Sequence, residues 1–342
     1  MSEATVNSIS QAISRLDIYT NSVEYKSLSP TIATQFKSWL LEKNSNGRAV
    51  SVTTVYHALR HVKKFLRWLS GEPGYRSGRL RESADYLTLD KGKVREATAQ
   101  KYVESPTLEY VLRLVDSIKG DDEISRRDRA LIAFLLCSGM RDLAVATLPL
   151  GCFERDSQIV HQDPAMGVRT KFSKTIHTKL LPFDDRLIRA ILSWHDYLAC
   201  ERKLSPDTPF FPRTKSFCLE GESLSGSIGV EPVFWKTAGP IRKILKERSV
   251  NAGLPYFKPH TFRHALARLF QRLPLTPEQL KAVSQNMGHE NIGTTLLNYG
   301  KLSTHQALEV VGKIDFGSSP KGKFDKAQLA SMIALLQSLN DE

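Results

Sequence analysis

The chain has 342 residues, of which 41% are apolar and 25% are charged. This composition is typical of a folded protein of about two domains, and it excludes a wholly disordered or collagen-like chain. No uncharged apolar run approaches the about 20 residues that a membrane span needs, and the first residues lack the apolar stretch of a secretory signal. The four cysteines form no C-x-x-C pair, so we expect reduced thiols in a soluble cytoplasmic protein.

The net charge is the most informative global property. Lysine and arginine number 48 against 36 acidic residues, which gives +12. Such an excess favours a polyanionic partner, either nucleic acid or an anionic membrane surface. The membrane interpretation requires a basic amphipathic terminus or a lipidation signal, and neither end offers one. Ten basic and four acidic residues lie between positions 60 and 95, so this short stretch carries half of the net charge.

Two helices are predicted in the N-terminal part. Ser29 is a suitable N-cap before Pro30, and a second helix over 51–69 has an apolar stripe with spacings of three and four residues. Four cations lie off that stripe, at i,i+4 spacing, where they repel each other unless a negative group faces them. A helix with this face fits the major groove of DNA, and the alternative is a solvated basic face. The predicted DNA-binding residues are Arg60, Lys63, Lys64 and Arg67.

The middle of the chain predicts a second domain that mixes helices with a small sheet. Residues 71–104 indicate loops and a linker, and Thr107 is a candidate N-cap for the next helix. An apolar helix then ends at Gly139. Three short strands follow, the second and third joined by a tight turn, and further helices come after them. The strands are predicted at 157–162, 167–174 and 176–183, and the helices at 186–201, 235–249 and from 260 to the end.

Several residue types suited to phosphoryl transfer occur in order along this second domain. Two arginines present planar donor forks that match the oxygens of a phosphate. A tyrosine hydroxyl becomes a nucleophile when a neighbouring base removes its proton, and a histidine titrates in the right range to act as that base. A lysine on a mobile hairpin can protonate a departing oxygen. Together these groups supply positioning, charge stabilisation, base and acid without a metal.

On these residues the sequence resembles the tyrosine recombinase (phage integrase) family over about residues 25–315. The first arginine follows a helix in Gly139-Met140-Arg141, and His260-Thr261-Phe262-Arg263 matches the H-x-x-R box of the family. Gly288-His289 matches the G-H box, and Tyr299 follows ten residues after that histidine. The hairpin lysine of the family falls on Lys174, eight residues before Pro182, although Lys171 and Lys179 compete for the role.

The resemblance implies a role for each of these residues on duplex DNA. Tyr299 attacks the scissile phosphate and leaves a 3′-phosphotyrosyl bond, while Arg141 and Arg263 hold the phosphate and His289 donates to its oxygens. His260 accepts the tyrosine proton, and Lys174 protonates the 5′ oxygen. The covalent link conserves the energy of the phosphodiester, so neither ATP nor a metal or other cofactor is expected. Four protomers are expected to assemble on two recombination sites.

The expected fold is mainly α, of the α+β class. We expect a helical core-binding domain followed by a mixed helical catalytic domain with a small three-stranded antiparallel sheet. The C-terminal segment indicates a tether and an amphipathic helix that docks on a neighbouring protomer or, alternatively, on its own domain. The predicted segments are an N-terminal extension (1–24), the core-binding domain (25–90), a linker (91–106), the catalytic domain (107–314), and the tether with its helix (315–342).

One position departs from the family pattern and leaves alternatives open. Members usually have an acidic residue three positions after the first arginine, and here Ala144 occupies that place.

The expected function is integration or excision of a mobile element by a nucleoid-associated enzyme, with an accessory directionality factor as a further partner. The alternatives are a Xer-type resolvase, a tyrosine transposase, a type IB topoisomerase, and an inert DNA-binding protein on the same scaffold.

Overall fold

The computed structural model describes residues 3–42, 50–76, 78–99, 102–218, 225–271, 273 and 275–289. The chain divides into two compact units, Met1–Gln100 and Lys101–Glu342. Within the described ranges, no helix is long and apolar enough to cross a lipid bilayer.

The N-terminal unit is helical. Its helices are α1 (Glu3–Thr20), α2 (Pro30–Glu42), α3 (Val52–Leu69), α4 (Gly78–Tyr86) and α5 (Lys91–Thr98). The two helices predicted from the sequence are confirmed as α2 and α3. The Ser51 hydroxyl caps α3 by accepting a hydrogen bond from the backbone N–H of Thr54 at 3.2 Å. The apolar stripe of α3 is buried, with Val55 and Val62 fully inaccessible to solvent, because it packs against α1, α2 and α4.

Three helices of this unit were not predicted from the sequence. Residues 71–104 are rich in charge and glycine, so their short apolar faces are weak sequence signals; α4 nevertheless buries Leu80 and Ala84 completely. Asp90 caps α5 through a hydrogen bond from Lys93 N at 2.9 Å, and the Thr53 hydroxyl donates to Ala97 O at 3.2 Å. The expected linker 91–106 therefore begins with a helix of the N-terminal unit, and α1 lies in the expected extension 1–24.

The C-terminal unit is built around one buried helix. Its helices are α6 (Leu108–Ser117), α7 (Glu123–Ser138), α8 (Asp142–Ala146), α9 (Asp185–Asp196), α10 (Gly239–Asn251), α11 (Pro259–Gln271) and α12 (Pro277–Asn286). Thr107 caps α6 as predicted. The second half of helix α7, residues 130–137, is apolar and buried on all sides, and α6, α9 and α11 pack against the helix. The helices expected from residue 260 onward begin with α11 and α12, and a capping box between Thr276 and Gln279 starts the second of these at Pro277.

A three-stranded antiparallel sheet is present, as expected, but one of its strands differs from the prediction. Strand β2 (Ile159–Gln162) lies between β1 (Phe153–Glu154) and β3 (Ile176–Lys179), with Phe153 opposite Val160 and His161 opposite His177. The predicted strand at 167–174 instead forms part of the β2–β3 connection. Gly167, Phe172 and Ser173 have φ values of 90°, 62° and 52°, a left-handed conformation that interrupts a regular strand.

A second antiparallel pair, β4 (Arg213–Cys218) and β5 (Ser225–Glu231), was also not predicted. The pairing of the two strands is irregular, with a register shift between Thr214 and Ser216. This hairpin packs against α7 on the outside of the C-terminal unit.

Candidate functional site

Arg141 lies where helix α7 turns into helix α8. Gly139 ends α7 with a φ of 58°, and a Cβ atom at this position would overlap the Leu266 side chain on α11. Only glycine therefore allows the chain to turn this tightly. Two residues later Arg141 takes the N-cap position of α8 with extended backbone, and its side chain is half-buried.

Arg263 connects three segments of the C-terminal unit. Its side chain projects from α11 and is only 1% exposed. One guanidinium nitrogen donates to the carbonyl oxygen of Gly139. The other donates at 2.8 Å to the carbonyl oxygen of Met287, and it also lies 2.8 Å from Nε2 of His289. A buried cation with these partners fixes the end of α7 and the turn after α12 relative to α11.

The contact with Arg263 determines which ring nitrogen of His289 carries the proton. A guanidinium group only donates hydrogen bonds, so Nε2 of His289 must accept and the neutral ring carries its hydrogen on Nδ1. Burial, followed by the charges of Arg263 and Arg141, lowers the pKa of His289 to about 3. The imidazole is therefore neutral at physiological pH and presents Nδ1–H as a donor.

Gly288 holds His289 in place. It adopts a φ of 71°, and a Cβ atom there would lie 2.6 Å from Cδ1 of Ile176, the first residue of β3. The following N–H of His289 closes the turn onto Ser284 O at 3.0 Å. The G-H pair of the sequence thus has a physical basis, because glycine permits both the left-handed turn and the close approach of the sheet.

His260 lies at the start of α11, where the residue reaches the surface and the protein covers part of its ring. The ring of His264, one turn further along, meets it edge-on with centroids 5.4 Å apart and planes at 87°. Partial burial and the charge of Arg263 lower the pKa of His260, while Asp142 opposes this shift. Burial and the neighbouring His260 lower the pKa of His264 to about 4. His260 is consequently a neutral proton acceptor at physiological pH.

Lys174 follows a turn of 3₁₀ helix, Lys171–Ser173, in the β2–β3 connection. The Thr170 hydroxyl donates to the Lys174 carbonyl oxygen at 2.7 Å, which closes this loop. The ammonium of Lys174 lies 5.6 Å from the centroid of the Phe172 ring. Of the two competing lysines, Lys171 shares this loop, whereas Lys179 donates to the carbonyl oxygen of Ser157 at the other end of β3.

Ala144 packs in the core of the C-terminal unit and is 1% exposed. The neighbouring Asp142 pairs with Arg242 on α10, at 3.1 Å, rather than with Arg141. In the described part of the chain, no carboxylate lies within ion-pairing distance of the Arg141 guanidinium. No residue in these ranges therefore replaces the acidic side chain that Ala144 lacks.

The structure brings four of the six predicted catalytic residues into one electrostatic cluster. His260 and His289 both respond to Arg141 and Arg263, and the β3 end of the Lys174 loop contacts Gly288. Tyr299 lies outside the described residues, as do the expected tether and C-terminal helix. Within the described ranges, no group of three or more histidine, cysteine or acidic side chains is arranged to hold a metal ion.

Two residues near this cluster have no role assigned from the sequence, where Asp142 is expected only to point away from Arg141. The negative charge of Asp142 raises the pKa of His260 and so opposes the other shifts. In the sequence, only its position next to Arg141 pointed to a place near the site. Asn286 exchanges two hydrogen bonds with the backbone of Lys179, which no periodicity or motif indicates.

The predicted basic face of α3 carries an acidic partner. The Asp85 carboxylate on α4 lies 2.6 Å from an Arg67 nitrogen and 3.5 Å from the Lys63 ammonium. These contacts, the hydrogen bond from Arg67 first, lower the pKa of Asp85. The guanidinium of Arg60 lies 5.5 Å from the Tyr56 ring centroid, and Lys64 is exposed. The repulsion expected between stacked cations is thus relieved on one side by Asp85.

Comparison with known proteins agrees with this arrangement. The model of the phage integrase family matches residues 107–306. The tyrosine recombinase XerC of Shewanella sp. (strain ANA-3) is 23% identical over 257 residues, which span 75% of this chain and 74% of that protein. XerC of Pseudomonas putida (strain F1) is 24% identical over 215 residues, covering 63% of this chain and 60% of the relative.

Two solved structures share the fold at low sequence identity. The Tn1549 transposon integrase in complex with circular intermediate DNA gives a TM-score of 0.54 at 16% identity, over 91% of this chain and 94% of that one. A lambda integrase dimer bound to a core site gives 0.58 at 11% identity, over 92% and 75% of the two chains. Because the family model covers more than half of the sequence, this chain belongs to the phage integrase family and is a tyrosine recombinase.

Proposed function

We propose that this protein cuts and rejoins duplex DNA through a 3′-phosphotyrosyl bond, with Tyr299 as the nucleophile. The observation that carries the proposal is the buried Arg263, which fixes the neutral His289 beside the turn that presents Arg141. In this proposal Arg141, Arg263 and the Nδ1–H of His289 stabilise one pentavalent phosphate, and the charges of both arginines act on His289.

Each group has one part in the reaction. The Tyr299 oxygen attacks phosphorus as His260 accepts the phenolic proton, and the bond from phosphorus to the 5′ oxygen breaks as Lys174 protonates that oxygen. Arg141, Arg263 and His289 neutralise the charge that develops on the non-bridging oxygens. The reverse reaction with a 5′ hydroxyl of a partner strand restores the phosphodiester, so no ATP is consumed.

We further propose integration or excision of a mobile element as the biological role, with exchange in a tetramer on two DNA sites. Two structural neighbours support this role, because one is a transposon integrase bound to circular intermediate DNA and the other is a lambda integrase bound to a core site. The XerC relatives favour a resolvase as the second candidate. The C-terminal segment would dock on a neighbouring protomer, an accessory factor would set direction, and the enzyme would work in the cytoplasm on nucleoid DNA.

A nicked suicide duplex tests the nucleophile. The substrate is built on the sequence that the protein selects from random duplex DNA, and it loses a short fragment after cleavage, which traps the covalent adduct. We expect an adduct in the presence of EDTA with the wild-type chain and none with Tyr299→Phe. A tightly bound wild-type protein that forms no adduct would identify an inert DNA-binding protein, whereas relaxation of supercoils lacking this site would identify a topoisomerase.

A modified leaving group tests the acid. A 5′-bridging sulfur leaves without protonation, because a thiol is far more acidic than an alcohol. Lys174→Ala should therefore cleave ordinary DNA slowly, by a factor of about 10²–10⁴, and the sulfur substrate at close to the wild-type rate. Lys171→Ala and Lys179→Ala are matched controls, in which the rate for the sulfur substrate divided by the rate for ordinary DNA should equal the wild-type ratio. If the sulfur substrate instead restores the cleavage rate of Lys171→Ala or Lys179→Ala, the lysine replaced in that variant is the acid.

A further inference from the structure

Phe172 is the most exposed large apolar side chain among the described residues. Its side chain is 77% accessible, although it lies in the same loop as Lys174. An aromatic ring of this size is normally at least partly buried, since exposure forfeits the free energy of removing it from water. An isolated exposed aromatic side chain next to a functional lysine suggests that the ring has a partner outside the chain.

The backbone beneath this ring is held in an unusual conformation. Phe172 and Ser173 are consecutive non-glycine residues with φ values of 62° and 52°. Residues other than glycine rarely adopt this left-handed backbone conformation, and it persists only where the surrounding structure enforces it. Here the Thr170 hydroxyl binds Lys174 O at 2.7 Å, and Arg169 N donates to the Thr147 hydroxyl at 2.9 Å. The loop is therefore anchored at its base and directs the ring outward.

Two cations flank the ring. The ammonium groups of Lys171 and Lys174 lie 4.9 and 5.6 Å from its centroid. Cations placed near an apolar ring match a DNA groove, where phosphates border the edges of the bases. The ring and the charges thus form one small surface with the chemistry of a nucleic-acid contact.

We propose that Phe172 is a wedge that packs against a base step beside the cleaved phosphate and partly unstacks it. The proposal rests on the proposed function, in which Lys174 reaches the leaving oxygen. The ring centroid lies 5.6 Å from the Lys174 ammonium, and a hydrogen bond from this ammonium to the leaving 5′ oxygen adds about 3 Å. The ring therefore lies within about 9 Å of that oxygen, a distance of about two to three base steps along one strand. Apolar wedges that open base steps are a general means of deforming DNA from a groove. Phe172 is accordingly a DNA contact that prepares the substrate and takes no part in proton transfer.

Fluorescence of 2-aminopurine measures the unstacking directly, because this base brightens when it leaves the stack. The probes are a set of duplexes built on the selected nicked sequence. Each carries one 2-aminopurine opposite thymine, at one of the three positions on either side of the cleaved phosphate. The full-length chain should brighten at least one position. Phe172→Ala should abolish that signal and weaken binding of the duplex about five- to tenfold, the lower range for loss of one aromatic–base stack. Phe172→Trp should retain the signal.

Two control variants test whether the ring itself produces the signal. Met166→Ala removes another exposed apolar side chain, 53% accessible, from the same connection and should change nothing. Phe172→Gly relieves the backbone strain as well as removing the ring, so it should lose the signal although the free protein becomes no less stable. If Phe172→Ala slows cleavage while the fluorescence is unchanged, the ring only positions Lys174 and the wedge is wrong. No brightening with wild-type protein that still forms the Tyr299 adduct also overturns the wedge, whereas loss of the adduct itself overturns the proposed function.

Discussion

The side chain of Asn286 pairs with the backbone of Lys179 as a neighbouring strand would. Its amide oxygen accepts from Lys179 N at 2.7 Å, and its amide nitrogen donates to Lys179 O at 3.0 Å. The Thr178 hydroxyl adds a bond of 2.9 Å to Asn286 O. The end of α12 is thereby attached to the edge of β3, so the loop that carries Lys174 and the turn that carries His289 are held together.

Removal of this amide should weaken both the fold and the chemistry. Asn286→Ala loses two hydrogen bonds and should cost about 1–3 kcal/mol in the free energy of unfolding, measured by urea denaturation. Cleavage of the suicide duplex should slow more than binding, because Lys174 and His289 lose their common support. Asn251→Ala is the matched control, since Asn251 is also the last residue of a helix but is exposed. Equal effects of the two substitutions would show that the pairing has no special role.

Gly288 should not tolerate a side chain. Gly288→Ala adds a Cβ that must lie in a left-handed conformation and 2.6 Å from Cδ1 of Ile176. Gly167→Ala imposes the same backbone cost, at a φ of 90°, with nothing within 4 Å of the new atom. We expect Gly167→Ala to lower the free energy of unfolding by about 1–2 kcal/mol and Gly288→Ala by a larger amount.

A compensating substitution isolates the steric part of this effect. Ile176→Val removes the Cδ1 atom, so it should recover part of the stability lost in Gly288→Ala. The comparison is a double-mutant cycle measured by thermal unfolding. If the two substitutions prove additive, the close contact between Gly288 and Ile176 does not limit stability.

Stability should fall as the pH drops from about 6.5 towards 3. The pKa of His289 is about 3 in the folded chain, well below its ordinary value, so the unfolded chain binds a proton over this range and the folded chain does not. The contribution of His289 is complete above pH 6.5, and at pH 5 about 2 kcal/mol of it should be lost. Urea denaturation at pH 7, 6 and 5 measures this slope.

His289→Gln should make the slope shallower, and the remainder should come partly from His264, whose pKa is about 4. Gln285→Ala changes an exposed side chain on α12 that carries no titratable group, and it should leave the slope unchanged. A His289→Gln protein with the wild-type slope would contradict a neutral, buried His289.

Asp85 should restrain DNA binding by the basic face of α3. Asp85→Asn removes the carboxylate that engages Arg67 and Lys63, so we expect tighter binding of duplex DNA and a salt dependence steeper by about one to two units. Glu82→Gln removes the same charge from the same helix without disturbing α3, and it should have a smaller effect. Identical effects would mean that only net charge matters. Arg60→Ala and Lys64→Ala should weaken binding and flatten the salt dependence by about one unit each if these side chains contact phosphate.

Much of the fold follows from local rules that a sequence carries. Ser51 and Thr107 cap helices as their side-chain chemistry requires. The apolar stripe of α3 and the apolar second half of α7 predict burial correctly. The strand expected at 167–174 fails because the alternating pattern is overridden by turn geometry at Phe172 and Ser173, which depends on contacts with Thr147 and Thr170. Helices α4 and α5 have too few apolar residues to be visible without the core that they complete.

The sequence by itself determined the family, a helical part followed by a part that mixes helices with a small sheet, and the order of the candidate catalytic residues, because residue type and spacing along the chain encode them. The tertiary structure alone decided that Arg263 is buried against the carbonyls of Gly139 and Met287, that His289 is neutral with its proton on Nδ1, and that Asn286 ties α12 to β3. A tautomer, a shifted pKa and a contact between residues more than a hundred positions apart depend on desolvation and distance in space, and neither quantity is written in the local sequence.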